Sequence, residues 1–272
     1  MVEPTHRLTN AEYHAHPALS RSALSTMNRS PLHFWHRYIS GLHEEPAIKP
    51  AALTFGTAVH TAVLEPKEFA RYYDAAPEGS KNTKAYKEAV KEAEATGVTL
   101  LTTAEMDKID GIKASLFAHP MASEMLFKRS GRNETTWIAK DPVTGMELKA
   151  RPDRLAQSGA IVDLKTSANA SAKHFQRSAH DFGYHIQAAF YQMVLNLCTA
   201  QVPNFYFVVV EKEPPYAVQC FRASSNFLLY GKTEVRRLLD SIWLHKRTHG
   251  VKPWPSYSES VVALDLPPWL KT

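Results

Sequence analysis

Apolar positions follow three regimes along the chain. Residues 1–128 are spaced mainly for helices, 129–222 carry short strand-like runs, and 223–272 return to one helix and then a proline-rich tail. Leu8 to Tyr13 reads as a short capped helix, and Ser20 or Ser22 can cap a second one through Met27. Ser30-Pro31 is a cap followed by proline at the first helical position, with Gly41 just past the end. Thr54 to Leu64 is a helix of small and apolar residues, stopped by Pro66. Lys84 to Ala95 is a charged helix ended by Gly97, and Val98 to Leu101 is briefly extended. Thr102 or Thr103 caps a helix to about Ala118. His119-Pro120 breaks that helix before another reaches Phe127.

The middle region predicts a three-stranded meander. Arg132 to Ala139 is its first strand, Asp141 to Gly145 a turn, Glu147 to Asp153 the second strand, Ser158-Gly159 a turn, and Ala160 to Lys165 the third. Helices follow from Ala170 to about His180 and from Tyr184 to Leu195. Phe205 to Val210 is continuously apolar, as in a strand buried on both faces. Tyr216 to Arg222 is another strand. Ser225 to Thr248 is a long helix with Leu228, Leu229, Val235, Leu238, Leu239, Ile242 and Trp243 as its apolar stripe. The pattern implies an α/β chain whose helices cover a sheet, in one large domain or two small ones.

Composition agrees with a globular domain: 272 residues, 44% apolar and 22% charged. A net charge of +5 and a pI near 9.1 suit a polyanionic partner without requiring one. Cys198 and Cys220 read as unpaired thiols in a reducing cytoplasm. No apolar run is long enough to span a membrane, and the first seven residues lack a signal-peptide core. A phosphate-binding Gly-x-x-x-x-Gly-Lys loop is missing, so the chain carries no such motor. Two cysteines cannot ligate an iron–sulfur cluster.

The chemistry concentrates in Arg151-Pro152-Asp153-Arg154 and Asp163-Leu164-Lys165-Thr166. Side chains alternate along a strand, so Asp163 and Lys165 share a face while Val162 and Leu164 enter a core. The hairpin can bring Asp153 beside Asp163. Two close carboxylates repel unless a cation lies between them, and oxygen ligands favour Mg²⁺ or Mn²⁺. Lys165 can then position a water or stabilise phosphate charge. Asp163 and Lys165 are expected at the mouth of the site. The same residues also fit a plain surface hairpin with a salt bridge.

Pro-Asp, nine residues, then Asp-Leu-Lys resembles the signature of the PD-(D/E)XK nuclease superfamily. Gly56-Thr57-Ala58-Val59-His60 before Leu64-Glu65-Pro66 resembles the opening motif of its RecB-like branch. Gln187-x-x-x-Tyr191, one helical turn apart, resembles that branch's third motif. As a set, residues 10–230 resemble the nuclease domains of the exodeoxyribonuclease VIII family and its phage-encoded relatives. That resemblance implies a restriction-endonuclease-like core in one domain: a helical part (1–128), a catalytic sheet (129–222), and a C-terminal helix and tail (223–272). Asp153, Asp163, His60 and the backbone carbonyl of Leu164 would hold the metal. Lys165 would orient the attacking water, and Gln187 and Tyr191 would position the phosphate or the lysine. Glu134 falls where this branch often has a glutamate, either on the metal through water, on the substrate, or exposed.

The resemblance further implies a Mg²⁺-dependent 5′→3′ exonuclease on linear double-stranded DNA ends. It would be a cytoplasmic, ring-shaped homo-oligomer working with a single-strand annealing protein. An endonuclease on the same core, a nuclease module of a helicase machine, and an inactive DNA-binding scaffold are the alternatives. From Lys128 to Arg177 the chain has ten Lys and Arg against five acids. Arg151, Arg154, Lys173 and Arg177 are therefore candidates for phosphate contacts. The Ser30-Pro31 helix, with Phe34, Trp35 and Tyr38 among basic residues, is either core or a further nucleic-acid contact.

Overall fold

The computed structural model describes residues 8–43, 51–80 and 82–265, with side chains from 55 in the segment that starts at 51. Met1 to Arg7, and Pro267, Pro268 and Trp269 of the proline-rich tail, lie outside the described residues.

The capping signals place the first helices: α1 (Asn10–Ala15), α2 (Arg21–Arg29) and α3 (Pro31–Tyr38). Thr9 and Glu12 form a reciprocal capping box, Ser20 caps α2, and Ser30 caps α3 ahead of Pro31. Phe34 is buried, and its ring stacks on Trp254 at 5.2 Å. That contact makes Phe34 core while Tyr38 stays exposed, and it wraps the tail over the same chain as far as Tyr257, which meets His33.

Helix α4 (Ala51–Leu64) carries His60. It ends at Leu64, ahead of Pro66 as the sequence suggested, and Pro66 then opens α5 (Pro66–Tyr72), because a proline at the first helical position loses no hydrogen bond. A short strand, β1 (Tyr73–Ala75), pairs in parallel with β2 (Thr99–Leu101) across α6 (Lys84–Thr96). The first of these strands was not evident in the sequence. Thr102 and Glu105 box the start of α7 (Thr103–Ala118). Then come α8 (Pro120–Ser123) and a π-helical turn, Glu124–Lys128.

Seven further strands follow: β3 (Gly131–Asn133), β4 (Trp137–Lys140), β5 (Glu147–Ala150), β6 (Arg154–Ala156), β7 (Ile161–Ser167), β8 (Phe205–Glu211) and β9 (Val218–Arg222). The sheet order is β3-β6-β7-β8-β9, mixed, with β7 and β8 parallel and the other pairs antiparallel. Helices α9 (Ala172–Asp181) and α10 (Tyr184–Thr199) make the crossover between β7 and β8, and α11 (Ser225–His249) packs on α10. One face of the sheet, with Ile161, Phe207 and Val209, buries against α2, α10 and α11. The other, with Val162, Leu164, Val208 and Val210, buries against α4 and α7. The expected stripe of α11 is narrower than its sequence: Leu229 and Trp243 are exposed, and Gly231 joins the buried set. The structure is the α/β fold expected, a five-stranded mixed sheet between helices. Among the described residues no helix is long and apolar enough to cross a membrane.

The expected meander is present but interrupted. Asn133 pairs with Arg154, and Trp137 with Ala150, in one register. Between them the ladder opens at residues 134–136 and 151–153. β4 and β5 therefore form their own two-stranded ladder, closed at the turn by Asp141. This buried carboxylate accepts from Thr144 and from Arg236 of α11 at 3.1 Å.

Candidate active site

The interruption in the hairpin is where the acids gather. Glu134 and Asp153 lie opposite each other in the broken register, and the Glu134 amide donates to the Asp153 carbonyl at 3.1 Å. Glu134 has a positive φ of 47°, uncommon for a side chain of this kind. Asp153 is thus not the end of a strand but part of the opening between β5 and β6. Its Oδ2 accepts from the Leu164 amide at 2.8 Å, which fixes it to β7 beside Asp163. His60 Nδ1 stands 3.4 Å from the same oxygen, and its ring also hydrogen-bonds the Leu164 backbone.

Asp163 is completely buried, not at the mouth of the site as the sequence suggested. Alternation puts its side chain on the α10 face, where the helix covers it. Gln187, also buried, donates its Nε2 to Asp163 Oδ1 at 2.6 Å. The Gln-x-x-x-Tyr helix therefore holds the carboxylate through its glutamine, not the lysine. Lys165 Nζ is 2.5 Å from Asp163 Oδ2, an oxygen that no hydrogen-bond donor is aligned on. Lys165, Gln187, Tyr191 and Glu134 line one cavity of about 690 Å³, which extends beneath α1, α2 and α3.

Burial dominates the electrostatics. It pushes the Asp163 carboxyl up to about 6, with Lys165 pulling it down and Asp153 pushing it further up. Burial also raises Asp153. Glu134 is pushed up to about 9 by burial and then by the charges of Asp153 and Glu65. His60 is pushed down to about 4 by burial and by Lys165, so its ring is neutral near pH 7 and keeps a lone pair. Lys165 rises despite burial, because Asp163 and Asp153 favour its charged form.

A cation fits these residues. Three carboxyls are crowded and reluctant to ionise, Asp163 Oδ2 lacks an aligned donor, and oxygen with one imidazole suits a hard or borderline divalent ion. Among the described residues no three acids, histidines or cysteines already form a metal-holding group, and the Lys165 ammonium lies 2.5 Å from Asp163 Oδ2.

Residues 20–266 match the model of a family described as a PDDEXK-like domain of unknown function, DUF3799. The chain belongs to this family. Its domain is nuclease-like, and nucleases of the PD-(D/E)XK kind generally use divalent metal ions. A candidate exonuclease from Eubacterium rectale shares the fold, with a TM-score of 0.63 at 17% identity, covering 91% of this chain and 89% of that one. An alkaline exonuclease from Laribacter hongkongensis matches only weakly, with a TM-score of 0.30 at 12% identity over 70% of this chain and 88% of its own. No curated protein sequence matches the chain.

The basic candidates from the sequence separate into different roles in this PDDEXK-like domain. Arg151 lines the cavity, but its guanidinium donates to Thr136 and to the Leu8 carbonyl and lies 4.2 Å from the Tyr13 ring centroid, strapping α1 to the hairpin. Arg154 points away and is spent on the Met125 and Arg129 carbonyls and on Asn133, so it is no phosphate contact. The reason is the π-helical turn, whose end carbonyls need a donor. Lys173 and Arg177 are exposed on α9 and do not line the cavity. Two cavity-side residues went unnoticed in the sequence. Glu65, inside the quoted Leu-Glu-Pro motif, lies within electrostatic reach of Glu134 and Arg151. Arg21, one residue after the α2 cap, lines the cavity with its Nε buried and unpartnered. The Leu-Glu-Pro motif marked the first; no local signal marked the second.

Proposed function

We propose that this protein is a Mg²⁺-dependent exonuclease that degrades linear double-stranded DNA from its 5′ ends and leaves 3′ single-stranded tails. The observation that supports this most is the convergence of Asp153, Asp163, Lys165, His60 and Gln187 beside a cavity whose lining is basic. Arg21, Arg37, Lys149, Arg151, Lys165 and Lys246 line it, and among the described residues Glu134 is the single acid there. Such a surface suits a chain of phosphates. The fold shared with a candidate exonuclease favours the same reading.

Asp153, Asp163, neutral His60 and the Leu164 carbonyl would hold the divalent ion, Mg²⁺ or in its place Mn²⁺. When bound, it supplies a water of lowered pKa and offsets charge on the leaving oxygen. Gln187 keeps Asp163 from rotating. Lys165 remains charged and stabilises the phosphate as water adds to phosphorus and the bond to the 3′ oxygen breaks. The attacking water gives up a proton to solvent, and the leaving oxygen takes one up. Tyr191 shapes the cavity wall next to the phosphate.

Phosphate contacts by one domain of net charge +5 are screened by salt, so the enzyme would dissociate often between steps. A ring that encloses the DNA replaces affinity with topology. The reading therefore includes a homo-oligomer larger than a dimer, encoded by a phage or prophage. It would act in the bacterial cytoplasm and pass its tails to a single-strand annealing protein.

Purified protein with Mg²⁺ is incubated with 5′-end-labelled linear duplex and, in parallel, with closed-circular plasmid, and its mass is read by light scattering. Labelled mononucleotides from the linear DNA, intact circles and an oligomeric mass are expected. A stable monomer that linearises circles would make it an endonuclease on the same core. DNA binding without any cleavage would make it a scaffold.

A further inference from the structure

Lys165 is held from two sides. Its Nζ stands 2.5 Å from Asp163 Oδ2 and 4.8 Å from the centroid of the Tyr184 ring. Tyr184 opens α10 directly after Gly183, whose left-handed φ of 65° turns the chain into the helix. Its ring is backed by Phe175, Phe182 and Phe207, each with its centroid 5.9 Å away. This aromatic wall keeps the ring in place, and both Lys165 and Tyr184 line the cavity.

An ammonium has three donors. Asp163 takes one direction and the ring face a second, which leaves the third for the cavity. A ring face attracts a cation without neutralising it, unlike a carboxylate. Lysine sits on a flexible four-carbon stem. With no ring beside it, that stem would let the ammonium settle wholly among Asp153 and Asp163. There it would cover the oxygens that a divalent ion needs and leave the side where a phosphate arrives. We infer that Tyr184 is a positioning residue for Lys165, its ring face holding the ammonium turned toward the cavity. The consequence for catalysis rests on the nuclease reading above; the placement of Lys165 does not.

The test replaces Tyr184 with phenylalanine, with mono-, di- and pentafluorinated phenylalanine, and with leucine. Fluorine drains the ring face of negative potential with little change of shape. Cleavage is measured at saturating Mg²⁺. Tyr184→Phe should stay within about twofold of the parent protein, because the ring and not the hydroxyl acts. Turnover should then fall stepwise with fluorination, by about tenfold at the pentafluoro ring, or about 1.4 kcal/mol, with KM unchanged. Tyr184→Leu should match the bottom of the series. A flat fluorine series, or a phenylalanine variant as impaired as the leucine one, overturns the inference.

A second measurement needs neither metal nor DNA. In protein with ¹³C-labelled lysine, the Lys165 ε-methylene protons should be shifted upfield by the Tyr184 ring current, and Tyr184→Leu should abolish the shift. Absence of that shift overturns the inference whatever the cleavage data. Presence of the shift in a protein that cleaves no DNA would support the placement and sink the nuclease reading instead.

Discussion

Replacing Glu134 with glutamine should remove a pH dependence of stability from the metal-free protein. In the unfolded chain this carboxyl titrates near its ordinary value of 4.5. In the fold, burial first, and then the charges of Asp153 and Glu65, push it up to about 9, and Arg151 offsets this only in part. Between those values the folded state binds one more proton than the unfolded state. Stability is therefore full below the unfolded value and is lost as pH rises toward 9, by about 1.4 kcal/mol per pH unit. Near pH 7 and above, Asp163 at about 6 and His60 at about 4 have largely finished titrating, so the slope there belongs mainly to Glu134. From about pH 7 to about pH 8.5 the parent protein should lose about 2 kcal/mol, and Glu134→Gln should stay level. Urea unfolding in EDTA at several pH values measures both slopes. Saturating Mg²⁺ should flatten the parent's slope, because a cation favours ionised carboxylates. Parallel slopes for the two proteins in EDTA would refute the assignment of a protonated Glu134 facing Asp153.

Asp163→Asn and Lys165→Ala should each lower cleavage by at least about a hundredfold while near-native circular dichroism is kept; near-normal activity in both would remove the site. His60→Ala should weaken Mn²⁺ binding by about tenfold or more, followed by electron paramagnetic resonance, with little change in melting temperature; a large fall in melting temperature with unchanged metal affinity would make His60 a core residue only. Gly231→Ala should cost about 1–3 kcal/mol in urea unfolding, because a Cβ there would sit 2.1 Å from the His185 carbonyl oxygen where α11 crosses α10. A neutral result would mean that the two helices can part without loss.

Much of the local structure was legible because its causes are local. Thr9, Ser20, Ser30 and Thr102 each supply an oxygen to amides two or three residues on, so they mark helix starts whatever surrounds them. Alternation along β7 put Asp163 and Lys165 on one face before any partner was known. The spacing of Gln187 and Tyr191 likewise placed both on the site side of α10. Pro66 marked the end of α4 but not the start of α5, because proline can both end one helix and begin another, and only the path of the chain decides whether the second role is used.

The sequence by itself determined on which elements the candidate residues sit: His60 on a helix, Asp163 and Lys165 on a strand, Gln187 on a helix after it. The tertiary structure decided how they meet. The opening of the hairpin at Glu134 and Asp153 depends on pairing between residues nineteen positions apart, and no short window contains it. The burial of Asp163, and with it the raised carboxyl and the grip of Gln187, exists only once α10 lies across β7. Arg154 looked like Arg151 in the sequence, since both are arginines flanking Pro152-Asp153. One fills the end of a π-helical turn and the other straps α1 over the cavity, because opposite sides of the opened hairpin offer them different carbonyls. Charge counts along a chain do not know which carbonyls will need a donor; that is set by packing between distant segments.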